Sequence, residues 1–196
     1  MKIIVDAFGG DNAPLEIIKA SRMACDELGY EIILVGDESK IKSVAEKNKI
    51  SLENMSIEHA PDVIFMEDHP TEIMKSKINS SMAQGLRLLS ENKGDAFVSA
   101  GNSGALCVGA TLIVKRIKGV KRCAFAPVIP KSNGFFMLID SGANIECRPE
   151  MLRQFGIMGS IYMKNIMTVA NPRVGLVNVG RSEERRVGKE CRSRWS

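Results

Sequence analysis

Three turns in this 196-residue chain gather Gly, Asn, Ser and Asp where strand signals end, the place at which open α/β sheets bind ligands. The first is Asp6-Ala7-Phe8-Gly9-Gly10-Asp11-Asn12, which follows the apolar run at 2–6. Paired glycines let the backbone approach a ligand closely or take positive φ. Asp6 adds a carboxylate able to orient a ligand hydroxyl, a lysine or a metal; a tight strand-to-helix turn capped by Asp is an equal reading. The second is Ala100-Gly101-Asn102-Ser103-Gly104-Ala105, where a strand signal gives way to a helix signal. Unpaired amides at a helix start, the helix dipole and the Ser103 hydroxyl together make an anion cradle. An ordinary turn with Ser103 as N-cap would use the same residues. The spacing is neither a Walker A loop nor G-x-G-x-x-G, so no nucleotide is indicated. The third is Asp140-Ser141-Gly142-Ala143-Asn144 with Glu146, which also reads as a turn closed by Asx hydrogen bonds.

Two basic segments stand beside these turns. Lys75 and Lys77 precede a helix start at Ser80-Ser81, where ammonium groups can hold phosphate or steady an oxyanion, or simply stay solvated at the surface, the commoner role of such lysines. Lys115, Arg116, Lys118, Lys121 and Arg122 form a dense basic stretch, either a docking patch for an acidic partner or a solvated helix terminus. No Ser-His-Asp or Cys-His set can be assembled. Cys107 falls in the helix after the second turn, where apolar packing is expected. His59 and His69 are the only histidines, and no cysteine spacing suits zinc.

The elements that must position these turns alternate. Strands are expected at 2–6, 31–36, 56–60, 95–100 and 173–179. Helices are expected from Pro14 to about 28, from 38 to 48 behind an Asp37 cap, at 80–91, at 103–117 and from Pro149 to 164. The runs at 124–130 and 135–140 flank Lys-Ser-Asn-Gly and read as a hairpin. Continuous apolar strands separated by helices predict an α/β, doubly wound, mostly parallel sheet, mixed through the hairpin, with helices on both faces.

Charge gives no argument for nucleic acid. The formal net charge is +4, but Arg181, Arg185, Arg186, Lys189, Arg192 and Arg194 against Glu183, Glu184 and Glu190 leave only +1 on residues 1–180. Five cysteines, an odd number, and no signal-like N-terminus predict reduced thiols in the cytoplasm. No apolar run approaches ~20 residues, the length of a membrane span. Residues 181–196 break the apolar pattern; they read either as a solvated charged terminus or, more sharply, as the in-frame translation of a sequencing-library adapter. Residues 1–180 are therefore taken as the protein proper, and genomic DNA is expected to carry other codons after Gly180.

Taken together, the turns resemble those of the bacterial phosphate acyltransferases, the PlsX family. The resemblance is carried by VDAFGGDNAP, KINSSM, DAFVSAGNSGAL, IDSGANIECRPEML, QFGIMGSIY and PRVGLVNVG, in order, over 1–180. Phe8 stands where Met is common, Ser103 where Thr is common, and Ser76 where many members have a basic residue. Members continue beyond Gly180 with Thr-Glu-x-x-Lys-Gly-Asn and a C-terminal half, so the chain is expected to be an N-terminal part whose own activity is in doubt. The resemblance implies a fold similar to phosphate acetyltransferases and isopropylmalate-type dehydrogenases. It also implies transfer of an acyl group from acyl carrier protein to inorganic phosphate for phospholipid synthesis, with no cofactor. A homodimer and peripheral membrane attachment through the C-terminal half are implied as well. On the matching positions, Gly101, Asn102, Ser103 and Gly104 would cradle phosphate, and Lys75 or Lys77 would offset its charge. Asp6, Gly9, Gly10 and Asp11 would form a substrate loop, and Asp140 and Asn144 would position loops or a proton. Lys115–Arg122 would dock the carrier protein. A phosphate acetyltransferase-like enzyme using coenzyme A thioesters and a non-catalytic anion-binding domain are the rival readings.

Overall fold

A computed structural model describes residues 1–177, in two compact units that divide after Cys123. The end of the strand expected at 173–179 and the adapter-like stretch lie outside the described residues.

In the first unit the chain runs β1 (Lys2–Asp6), α1 (Leu15–Leu28), β2 (Glu31–Gly36), α2 (Glu38–Lys47) and β3 (Met55–His59). A 3-10 turn (Pro70–Met74), α3 (Ser81–Ser90), β4 (Ala96–Val98) and α4 (Ser103–Gly109) follow. The four strands form a parallel sheet in the order β3-β2-β1-β4. Successive side chains on a strand face opposite ways, and here both faces are covered. Val5, Ile32 and Leu34 pack with Ile18 and Cys25 of α1 and Ile41 and Ala45 of α2. Ile4 and Val35 face the other way, onto Leu88 of α3. Each such aliphatic side chain contributes about 1.5–3 kcal/mol when fully buried. A third cluster joins Met82, Ala83 and Leu86 of α3 to Ile73 of the 3-10 turn and Ala105 of α4.

Local signals set the helix ends. Asp37 caps α2 by accepting from the Lys40 amide, and Ser80 caps α3 by accepting from the Ala83 amide. Gly29 closes α1 in the left-handed conformation at φ 65°. The helix expected at 103–117 is shorter. After Gly109 it widens into a π-turn (Ala110–Val114) and stops at Lys115, whose φ is +74°. Lys115 thus closes the helical segment, and Arg116–Arg122 continue from it as a loop with exposed charged side chains. Arg116 folds back to donate to the Lys121 carbonyl, and Val120 bonds to Ile117.

The second unit holds β5 (Val128–Lys131), β6 (Gly134–Met137) and α5 (Pro149–Asn165). The expected hairpin is present, but β5 and β6 pair only with each other, and the four-stranded sheet is wholly parallel. Residues 173–177, expected to begin a strand, are irregular, with Val174, Leu176 and Val177 exposed. A strand persists only as part of a ladder, and no described strand pairs with this segment. α5 starts at Pro149, whose missing N–H is no loss in a first turn, and buries Met151, Phe155 and Gly159. No helix among the described residues is long and apolar enough to cross a membrane.

Candidate active site

The strand order sets the site. The chain leaves β1 for β2 on one side, while β4 lies on the other, so the carboxyl ends of β1 and β4 flank a topological switch point. Open α/β sheets bind ligands at such a crevice. The first two motif turns emerge there and touch.

Asp6, at the end of β1, is 2 % exposed. Its Oδ1 accepts from the Phe8 amide, and its Oδ2 accepts the Ser99 hydroxyl at 2.7 Å. Ser99 Oγ in turn accepts from the Gly101 amide at 3.1 Å. A relay of Asp6, Ser99 and Gly101 thus fastens the β1 loop to the β4 loop. Gly9 fits inside it: a Cβ there would sit 2.6 Å from Asp6 Oδ2, 2.7 Å from Ser99 Oγ and 2.9 Å from the Gly101 nitrogen. Only a residue without a side chain allows this approach. Gly10 lies against Ala100 at φ +107°, and Asp11 is exposed at the rim. Ser99 is not among the residues the sequence singles out; the only signal for it is a hydroxyl at the carboxyl end of a strand, just before the glycine turn.

Asn102, not Ser103, caps α4. Its Oδ1 accepts from the Ala105 amide at 2.9 Å. Its Nδ2 donates to the carbonyls of Phe65, Met66 and Asp68 at 3.1, 3.3 and 3.1 Å. With the residue 6 % exposed and both ends of its side chain engaged, Asn102 ties the start of α4 to the loop at 65–68. The Ser103 and Gly104 amides, in contrast, bond to no other described residue, as expected of a first helical turn. Gly104 lies so close to Pro70 that a Cβ would meet its ring at 2.8 Å, which seats α4 on the 3-10 turn.

The loop pinned by Asn102 brings in a cation. Lys77 Nζ lies 5.5 Å from the centroid of the Phe65 ring. Lys75, exposed at the end of the 3-10 turn, bonds through its amide to the Glu72 carbonyl. The Ser76 hydroxyl bonds to the Glu72 carboxylate at 2.5 Å and holds it below the usual carboxylate range. Direct contacts therefore join Asp6, Ser99, Gly9 and Gly101, while Lys77 is tied to Asn102 only through Phe65, whose ring it faces and whose carbonyl Asn102 holds.

Asp140 and Asn144 meet each other in the second unit. Asp140 Oδ1 accepts from the Phe125 and Ala143 amides, and Oδ2 accepts from the Asn144 amide and side chain. Burial pushes this carboxyl upward, but the Asn144 side chain and the three amides outweigh it and hold its pKa below the ordinary value. The carboxylate thus shapes its own loop. No group of three or more metal-ligating side chains occurs among the described residues.

A family model described as "Fatty acid synthesis protein" matches residues 1–193. A phosphate acyltransferase of Acetivibrio thermocellus is 49% identical over 181 residues, 92% of this chain and 53% of that protein. One of Desulforamulus reducens is 44% identical over 183 residues, 93% of this chain and 55% of its own length. The chain thus spans about half the length of the curated relatives it matches. Among solved structures, a phosphotransacetylase from Streptococcus pyogenes aligns with TM-score 0.68 at 16% identity, over 91% of this chain and 57% of that one. The EutD phosphotransacetylase from Staphylococcus aureus aligns with TM-score 0.63 at 19% identity, over 83% and 52%. At such identities these two establish the fold alone. By the extent of the family match and the identity of its relatives, the chain belongs to the fatty acid synthesis protein family of phosphate acyltransferases.

Proposed function

We propose that this chain is the N-terminal part of an enzyme that transfers an acyl group from acyl carrier protein to inorganic phosphate. The observation that carries this reading is the crevice between β1 and β4, where the Ser103 and Gly104 amides sit beside the Asp6–Ser99–Gly101 relay. The names of the relatives supply the reaction class.

Phosphate is its own nucleophile, so this chemistry needs no covalent enzyme group. The protein has to hold the dianion, aim one oxygen at the thioester carbonyl and stabilise the oxyanion that forms. The amides of residues 101–104 and the Ser103 hydroxyl would receive the phosphate oxygens. Asn102 would set their direction by capping α4. Lys77, or Lys75 from the neighbouring turn, would offset charge, and Asp6 would fix the loop through Ser99. Asp140 and Asn144 would shape the third loop. The exposed cations Lys115, Arg116, Lys118, Lys121 and Arg122 would meet the acidic carrier protein. The complete enzyme would work in the cytoplasm as a homodimer, attached peripherally to the membrane through its C-terminal half.

The test is consumption of acyl carrier protein thioester by the complete protein, with and without inorganic phosphate. Phosphate-dependent loss matched by acyl phosphate formation supports the reading; thioester loss that ignores phosphate overturns it. A second reading, coenzyme A thioesters as acyl donors, is favoured by the fold shared with phosphotransacetylases. It predicts faster turnover of acyl-coenzyme A than of acyl carrier protein in the same assay.

A further inference from the structure

Cys107 and Cys123 take no part in the site, yet they form the tightest sulfur contact among the described residues. Their Sγ atoms lie 2.9 Å apart, and both side chains are partly exposed. Thr111, one turn after Cys107 on the same helical face, donates its hydroxyl to the Cys107 carbonyl at 2.8 Å. Its oxygen also lies 3.1 Å from Cys123 Sγ, so the hydroxyl holds Cys123 against the helix. Two thiolates sharing a tetrahedral metal, each about 2.3 Å from it, would stand farther apart than this. The contact is still longer than the ~2.05 Å of a disulfide, and no disulfide joins the described cysteines. The two sulfurs are thus in contact with no bond between them.

The position matters as much as the distance. Cys107 lies in α4, directly after the turn proposed to receive phosphate, and Cys123 ends the basic loop that begins at Lys115. At the other end of that loop the backbone turns through positive φ at Lys115 and Gly119. A bond between the two sulfurs would fasten both ends of the loop to α4.

The geometry points to Cys107 and Cys123 as a redox clasp: a dithiol that an oxidised low-molecular-weight thiol closes into a disulfide, locking the basic loop onto α4. With glutathione disulfide as oxidant, one cysteine thiolate attacks a glutathione sulfur and releases one glutathione thiolate. The second cysteine thiolate attacks the cysteine sulfur of the mixed disulfide and releases the other. Two cysteine thiols are oxidised, one glutathione disulfide is reduced, and the two cysteine protons end on two glutathione thiols. The inference does not depend on what the crevice binds.

The test uses the whole 196-residue chain, treated with glutathione disulfide, alkylated and digested with trypsin. The expected product joins peptide 94–115 to peptide 123–131, at more than about tenfold the yield of any other cysteine pairing, because a pair in contact has a high effective concentration. In urea that preference is expected to vanish. Cys123→Ser is expected to abolish the linkage, and Cys25→Ser to leave it intact. Brief trypsin treatment of the oxidised native chain should nick the basic loop while the pieces stay joined until reductant is added. Equal yields of Cys107 with Cys25 or Cys147, a stable glutathione adduct that never advances, or no reaction of either cysteine would overturn the proposal.

Discussion

Replacing Asn102 by alanine removes an amide with four hydrogen-bond partners: Ala105 on one side and the carbonyls of Phe65, Met66 and Asp68 on the other. Loss of an N-cap costs about 1 kcal/mol. The three carbonyls belong to a loop whose Phe65 and Met66 side chains are exposed, so water can replace part of the lost donor. Together they add less than the ~1–3 kcal/mol of one fully buried orphan group per carbonyl. A total of about 2–3 kcal/mol follows, or a fall in Tm on the order of 10 °C for a domain of this size. Asn102→Asp separates the two roles. It keeps the acceptor and suits the helix dipole, but it turns an acceptor towards three carbonyls. The assay is thermal unfolding by circular dichroism, with hydrogen exchange at Ala105 and at residues 65–68. The aspartate variant should protect Ala105 and leave the loop as open as alanine does. If Asn102→Ala moves Tm by less than about 2 °C, the claim that this side chain holds helix and loop together is wrong.

Other substitutions probe other joints. Gly36→Ala would set a Cβ 2.3 Å from the Phe8 ring, so a loss of about 1–3 kcal/mol is expected, recovered in part by adding Phe8→Ala; additive losses in urea melts would refute the contact. Asp140 has a depressed pKa, so its stabilising effect is full above the unfolded aspartate value of about 4 and is lost as pH falls through the lower folded value. Asp140→Asn should therefore reduce the acid sensitivity of unfolding below about pH 4, and an unchanged pH profile would count against the assignment. Lys77→Gln in the complete enzyme should raise the KM for phosphate about tenfold or more while sparing the affinity for carrier protein, and an unchanged phosphate KM would remove Lys77 from the site.

Much of the first unit could be read locally. The apolar runs at 2–6 and 31–36 became β1 and β2 because both of their faces meet helices, and the Asp37 cap follows from a carboxylate just before an amphipathic run. The Asp140 loop likewise closes on its own neighbours. What could not be read depends on distant partners. Asn102 and Ser103 are both competent caps, and the choice falls to Asn102 because carbonyls some 35 residues earlier in the chain need its amide donors. Ser99 and Asp6 are far apart in sequence, and only the β1–β4 pairing joins them. The run at 173–177 has the composition of a buried strand, but pairing, not composition, makes a strand.

The central claim is that inorganic phosphate binds in the crevice between β1 and β4. It is tested most directly by titrating phosphate into the complete protein while following the backbone amide resonances of residues 101–104. Saturable shifts at Ser103 and Gly104, lost in a Gly9→Ala variant that still folds, are the expected result. Shifts confined to other residues, or none at phosphate concentrations that support turnover, would contradict the claim.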